Sequence, residues 1–462
     1  MKSWRRTSEV VVWLLVVSVV VGPVWLALRA PAVALVCLLV VVTTTALLFI
    51  RIKRLLLLSA LGSVTVLVVL PSSAVAGLPF GSFYPAIAAL ALIAVGLVRG
   101  RALIRRPPYL WHLWAFFLVV TAATFAHSTP NPFSILIVPL GIGVYVVTFS
   151  MSRQDRAAWV IGITSLAVAE TVLGLSEVVL GLPPLLGAEF TTSPVNPFMD
   201  GGRAQGTLGH PLVLAFLQLV ALGLLFASRS GIRGLIVATL LLGGLATTGS
   251  ASGVVVGLAT TLLWFLNRRT SAGTILAVLT TAIVTIVVAN AGVVQDIVAA
   301  ELNPQNVGHR MNSILAVENL IFQRPVAESL FGGGFGAAGP LYASGVLVND
   351  GFYAIDNQFV TFLAQSGLVG ASLVIGAFIA ITIRTPRVFM PGWLGLLFMG
   401  ASFDFMAWYV TAALTFSYAA FAMTARREPT PAEKEFRPVS PPRIAARSTV
   451  VRMPQPHSSL SG

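Results

Sequence analysis

The chain has 462 residues, of which 56% are hydrophobic and only 10% charged, with a mean hydropathy of +0.90. A water-soluble domain of this size neither needs nor tolerates that composition, so the soluble globular classes are excluded and an all-α polytopic membrane protein is predicted. The formal net charge of +13 does not point to nucleic acid, because the arginines fall mostly in short clusters between apolar runs, where the positive-inside bias puts them.

Residues 1–156 read as the amino-terminal transmembrane helices. Lys2, Arg5 and Arg6 precede the first apolar run as in a signal peptide, but no small-residue cleavage pattern follows, and the run is taken as a retained first helix. Spans over Val10–Leu28 and Pro31–Ile50 end at Arg51, Lys53 and Arg54, and Cys37, the only cysteine, lies within the second. A single cysteine allows no intramolecular disulfide and no cysteine metal cluster. Leu55–Leu70 and Pro79–Val98 end at Arg99, Arg101, Arg105 and Arg106, and Leu110–Ala126 and Pro132–Ser150 end at Arg153 and Arg156. Basic clusters thus recur after every second span, with the lone Arg29 as an exception, which sets the amino terminus in the cytoplasm and the short turns outside.

Residues 157–293 continue as central helices around an outer loop at 185–207, rich in Pro, Gly and Thr. Leu208–Ala227 returns to cytoplasmic Arg229 and Arg233, and Leu235–Thr248 and Val254–Leu266 form a short-turn pair ending at Arg268 and Arg269. Thr274–Val293 then leads to a polar excursion, residues 294–355, expected as one large extracytoplasmic loop domain between late helices. Residues 356–424 hold the carboxy-terminal helices, in which the long stretch Phe389–Met423 is split near Phe403-Asp404 so that Arg426 and Arg427 stay cytoplasmic. The total is about twelve to fourteen helices, depending on whether short ones merge. Residues 425–462, Pro-, Arg- and Ser-rich, read as a disordered cytoplasmic tail.

Parity of the clusters puts Arg203 and the excursion on the same outer face. An outer arginine runs against the positive-inside bias, and two readings of Arg203 stand: an anion grip, or snorkelling to lipid headgroups. Arg310 starts a helical pattern, Met311, Ile314, Val317 and Ile321, that ends before Pro325. In a first helical turn the dipole disfavours a cation, so Arg310 reads either as an anion ligand or as an ion-pair partner of Glu301 or Glu318. Arg324, at the other end of that helix, suits the dipole without a special role. Two guanidinium groups can grip a diphosphate through bidentate hydrogen bonds without a metal, and Gly333 and Gly334, in the run Gly332–Gly336, are candidate backbone N–H donors.

Asp356 and Asn357 open the return helix. Asp356 is either its N-cap or a carboxylate made basic by partial desolvation at the membrane interface. His210 and His309, each near one of the arginines, are the other outer proton carriers. Glu170, Glu177 and Asp404, inside apolar stretches, are costly to bury and point to a polar cavity or to helix pairing.

Together these pieces resemble the O-antigen ligase and O-antigen polymerase family of bacterial membrane glycosyltransferases. The matching segments are Arg203-x-x-Gly206-Thr207-x-x-His210-Pro211, Thr248-Gly249-Ser250-Ala251-Ser252-Gly253, Arg310 with Pro325 and Gly332–Gly336, and Asp356-Asn357-x-Phe359 running into Gly367-Leu368-Val369-Gly370. The resemblance implies a GT-C-like fold in the plasma membrane, with both termini cytoplasmic and the site outside. It implies a polyprenyl-diphosphate-linked glycan donor, a glycan or lipid acceptor hydroxyl, surrounding membrane lipids and no cofactor. Arg203 and Arg310 become the diphosphate grip and Asp356 the activating group, with His210, His309, Asn357, Gly333 and Gly334 around the substrate. Ligases typically have His at the position of Asp356, which favours a polymerase-like or other polysaccharide-assembly role, and the Ser-Arg of the middle motif is Ser250-Ala251-Ser252 here. The reading from another class is a polytopic transporter or a lipid-linked oligosaccharide flippase using the intramembrane acids.

Overall fold

The computed structural model describes residues 54–70, 83–127, 132–185, 202–228, 232–267, 304–348 and 355–425. The two spans expected before Arg51, the one over 274–293, most of the 185–207 loop and the tail beyond 425 lie outside the described residues, as do the side chains of 304–310.

The described residues form fourteen α-helices and three short 3-10 helices, with no strand among them. The order is α1 Leu55–Val69, α2 Phe83–Arg99, α3 Leu110–Ala126, α4 Ile137–Ser150, α5 Arg153–Leu180, α6 Pro211–Ala227 and α7 Ile232–Thr247. It continues with α8 Ala251–Asn267, α9 Pro304–Phe322, α10 Val326–Phe331, α11 Ala338–Ala343, α12 Gln358–Arg384, α13 Met390–Gly400 and α14 Tyr409–Ala425. Two of them, α5 and α12, are long and apolar enough to cross a membrane.

Local chemistry explains several boundaries. Ser152 caps α5: its Oγ accepts from the Asp155 N–H at 3.1 Å and donates to Asp155 Oδ2 at 2.7 Å. Gly181, with φ 64°, ends the same helix in the left-handed conformation. His210 and Pro211 start α6, which is buried along nearly its whole length because it is apolar on every face and packed by α5, α7, α8, α13 and α14. The stretch after Phe389 divides into α13 and α14, with Asp404 in the connection outside both helices.

α12 is broken at Gly367, whose φ of 61° and ψ of −169° are not helical. In an unbroken helix the carbonyls of Leu363, Ala364 and Gln365 would accept from the N–H groups four residues on. Here the excursion supplies the donors instead. Arg324 Nη2 reaches Leu363 O at 3.3 Å, Arg324 Nη1 and the Gly333 N–H reach Ala364 O at 3.2 and 3.0 Å, and the Gly334 N–H reaches Gln365 O at 2.8 Å. Around this seam Ala316, Leu320, Leu341, Tyr342 and Leu347 close over Val360, Leu363 and Ala364. The excursion is thus a cap docked on the amino-terminal half of α12.

Two expectations change here. α9 begins at Pro304, so Arg310 stands two turns inside it, not in its first turn, and the dipole argument for an anion partner loses its premise. Arg324 does have a specific role, as the guanidinium that satisfies the break in α12 while its Nε caps Leu320 O at 2.9 Å. Burial presses its basicity down, and Glu328 nearby opposes this.

Candidate functional site

Residues 203–210 form a loop held from three sides. Arg203 Nε donates to Thr248 O at 2.8 Å and the Ala204 N–H to Thr247 O at 2.8 Å, at the carboxy-terminal end of α7, where the helix dipole favours a cation. Glu177 Oε2 accepts from the N–H groups of Gln205 at 2.7 Å and Gly206 at 3.3 Å. One helical turn pair deeper on α5, Glu170 Oε2 accepts from the Thr207 N–H at 2.8 Å, and its Oε1 lies 2.7 Å from Thr207 Oγ1, which also sits 2.9 Å from Val68 O. Gly206, at φ 59°, is required here because a Cβ would run into Glu170 Oε2. The first and second motif segments of the sequence therefore meet, Arg203 against Thr248. In the second, Ser250 Oγ caps α8 through the Gly253 N–H at 3.1 Å.

His210 stands just before α6. Its Nδ1 accepts from the Leu212 N–H at 3.2 Å, so the imidazole is neutral and carries its proton on Nε2. Burial, and then the charge of Arg203, push its pKa down to about 3. The ring lies 4.8 Å from Trp408 and stacks on Phe403 at 6.2 Å, both in the α13–α14 connection.

That connection also meets the start of α12. Asn357 is the N-cap of α12: its Oδ1 accepts from the N–H groups of Phe359 at 3.0 Å and Val360 at 3.2 Å, and its Nδ2 donates to Ala401 O at 3.3 Å. Asp356, one residue earlier and half-buried, is not the cap. Gln358 Oε1 accepts from the Met406 N–H at 2.5 Å. Thr361 Oγ1 donates to Asp404 Oδ2 at 3.1 Å, whereas Asp404 Oδ1 is sealed from solvent with no hydrogen-bond partner. Burial pushes the Asp404 carboxyl up to about 7; the Thr361 bond opposes this and the neighbouring Asp356 charge adds to it.

The Phe403 to Trp408 connection thus meets His210 through its two aromatic ends and the start of α12 through Thr361 and Gln358, with Arg203 and Asp356 as the neighbouring charges of His210 and Asp404. Comparison with protein-family models, curated proteins and solved structures returned no match. His309 and Arg310 lie on α9, but where their side chains point falls outside the described residues. Gly333 and Gly334 are corrected: their N–H groups are taken up by the α12 break, and the flanking Gly332 and Phe335 N–H groups by Glu328 O at 2.7 Å and Thr124 Oγ1 at 2.8 Å. A backbone N–H already bonded in the chain is not a phosphate donor. Asp404 was legible only as an acid interrupting an apolar stretch; nothing in sequence spacing tied it to Asp356, 48 residues away by numbering.

Proposed function

We propose that this chain is a polytopic, GT-C-like glycosyltransferase of cell-surface polysaccharide assembly in the plasma membrane. It transfers or polymerises a glycan from a polyprenyl diphosphate carrier to an acceptor hydroxyl on the outer face. The observation that carries this reading is the convergence of a cation-bearing loop, Arg203 to His210, and a carboxylate pair, Asp356 and Asp404, on one aromatic connection. The inverted surface supports the membrane setting: Ile161, Val172 and Val179 of α5 are exposed while Glu170 of the same helix is buried.

In this reading Arg203 and Arg310 compensate the diphosphate charge. Asp356 takes the proton of the acceptor hydroxyl as that oxygen bonds the anomeric carbon. The carbon–oxygen bond to the carrier breaks, and the diphosphate leaves with the electron pair. A neutral Asp404 leaves Asp356 as the one charge of the pair, so the base is not opposed by a second carboxylate. Against a transporter or flippase, Glu170 and Glu177 are engaged with backbone N–H groups, and the carbonyls freed at the α12 break already have donors.

Purified protein reconstituted with a polyprenyl-diphosphate-linked oligosaccharide and an acceptor should release polyprenyl diphosphate, with turnover that persists in EDTA. Arg203→Ala and Arg310→Ala should each lower turnover by about 10²-fold, the scale of a lost transition-state donor. Full activity in both variants overturns the site, and carrier translocation without bond cleavage replaces the glycosyltransferase by a flippase.

A further inference from the structure

Acids in an apolar helix are costly, yet beyond its polar first turn with Asp155 α5 carries two more, seven residues apart on one face, at positions 170 and 177. Among the described residues the salt bridge of α5 is Arg54 with Asp155, near its amino-terminal end, and neither of these two acids takes part in it. Both carboxylates face the same segment instead, and between them they hold three consecutive backbone N–H groups, Gln205, Gly206 and Thr207, together with the Thr207 hydroxyl. Three successive N–H groups aimed at carboxylates fix the peptide planes of a loop that has only a three-residue 3-10 turn, Gly206–Leu208, of its own. Arg203 lies two residues before the first of these contacts, with its own tether at Thr248 O.

We propose that Glu177 and Glu170 are positioning residues that hold the Arg203 guanidinium in place for a polyprenyl diphosphate, and act on that ligand only through Arg203. This rests on the reading of the site as a diphosphate-binding one. The carboxylates hold the loop as hydrogen-bond acceptors. An amide oxygen does the same job, whereas a methyl group leaves N–H groups unpaired, two at Glu177 and one, with the Thr207 hydroxyl, at Glu170, and frees the loop to move.

The test is binding of a short-chain polyprenyl diphosphate to the purified full chain in detergent, with turnover of the wild-type protein measured beside it. Glu177→Ala should weaken binding by about tenfold or more, the scale of a lost charge-assisted contact, and Glu177→Gln should stay within about threefold of wild type. Glu170→Gln should behave as Glu177→Gln does. Arg203→Ala combined with Glu177→Ala should bind no more weakly than Arg203→Ala alone, since an effect that passes through Arg203 vanishes with it. Losses that multiply in the double variant overturn the proposal, because a general structural role predicts them. An unaltered Glu177→Ala overturns it too, as does Glu177→Gln failing as completely as Glu177→Ala, which would mean that the charge itself is used. Absence of diphosphate binding in the wild-type chain also removes it. Wild-type binding without turnover removes the glycosyltransferase reading while leaving the positioning role in place.

Discussion

At Asp404 burial first and a neighbouring carboxylate second act in one direction, holding the acid neutral to about pH 7, and hydrogen bonds from the Thr361 hydroxyl, the Ala407 backbone and the Gln358 side chain oppose them. The folded-state pKa is therefore above that of the unfolded chain, and the sign follows: the neutral form's contribution is complete at acid pH and is lost as pH rises through about 7. Asp404→Asn keeps the shape and cannot ionise. Its thermal stability should stay level across that range where the wild-type protein's declines, as measured by melting in detergent from pH 5 to pH 8; parallel curves for the two would show that Asp404 does not titrate there. His210 adds the opposite case, a ring kept neutral by a bond to its own Nδ1.

At the scale of elements, the broken helix α12 and the glycine-rich start of the cap form one interlocked unit. Gly367, at φ 61°, lets α12 step aside, and Gly332 and Gly334, at φ 80° and 78°, let the cap backbone approach the vacated turn. A Cβ at Gly367 would meet the Leu330 carbonyl and the Phe331 nitrogen, which are backbone and cannot rotate away. Gly367→Ala should therefore cost ~1–3 kcal/mol, from strain and overpacking together. Gly376, further along α12, has open space around it, and Gly376→Ala should be neutral or stabilising by up to about 1 kcal/mol from helix propensity. Denaturation of the two variants side by side checks both; equal effects would show that the break is not held by contact. The glycine run reads in sequence as a loop able to bind anions, but which partner its N–H groups meet depends on a helix break more than thirty residues later.

For the whole molecule, the arrangement has a direction. The connection bearing Asp404, the start of α12 and the Arg203 loop lie at one end, and Arg105, whose N–H bonds Ser150 Oγ at 2.9 Å, belongs to the opposite, basic ends of the helices. The 17 residues of α14 separate Asp404 from that basic side by roughly 25 Å, close to the apolar thickness of a bilayer. In a Cys37→Ser background, a cysteine introduced at exposed Ser344 should react with a membrane-impermeant maleimide on intact cells, and one at exposed Arg106 only after the membrane is opened. The reverse pattern would move the site to the cytoplasm.

The sequence by itself determined the helical class, the apolar stretches, the break near Asp404 and the residue types gathered near Arg203 and Asp356, because periodicity, hydropathy and charge clusters are local properties. It also made the acids within apolar stretches conspicuous through their cost. The tertiary structure decided their partners. Glu170 and Glu177 reach backbone N–H groups 28 to 37 residues away, Asp404 reaches Thr361, and Asn357 takes the N-cap that was one of the two readings of Asp356. Those pairings follow from which helix faces pack together, and a buried polar group takes whichever complementary group the packing brings within reach.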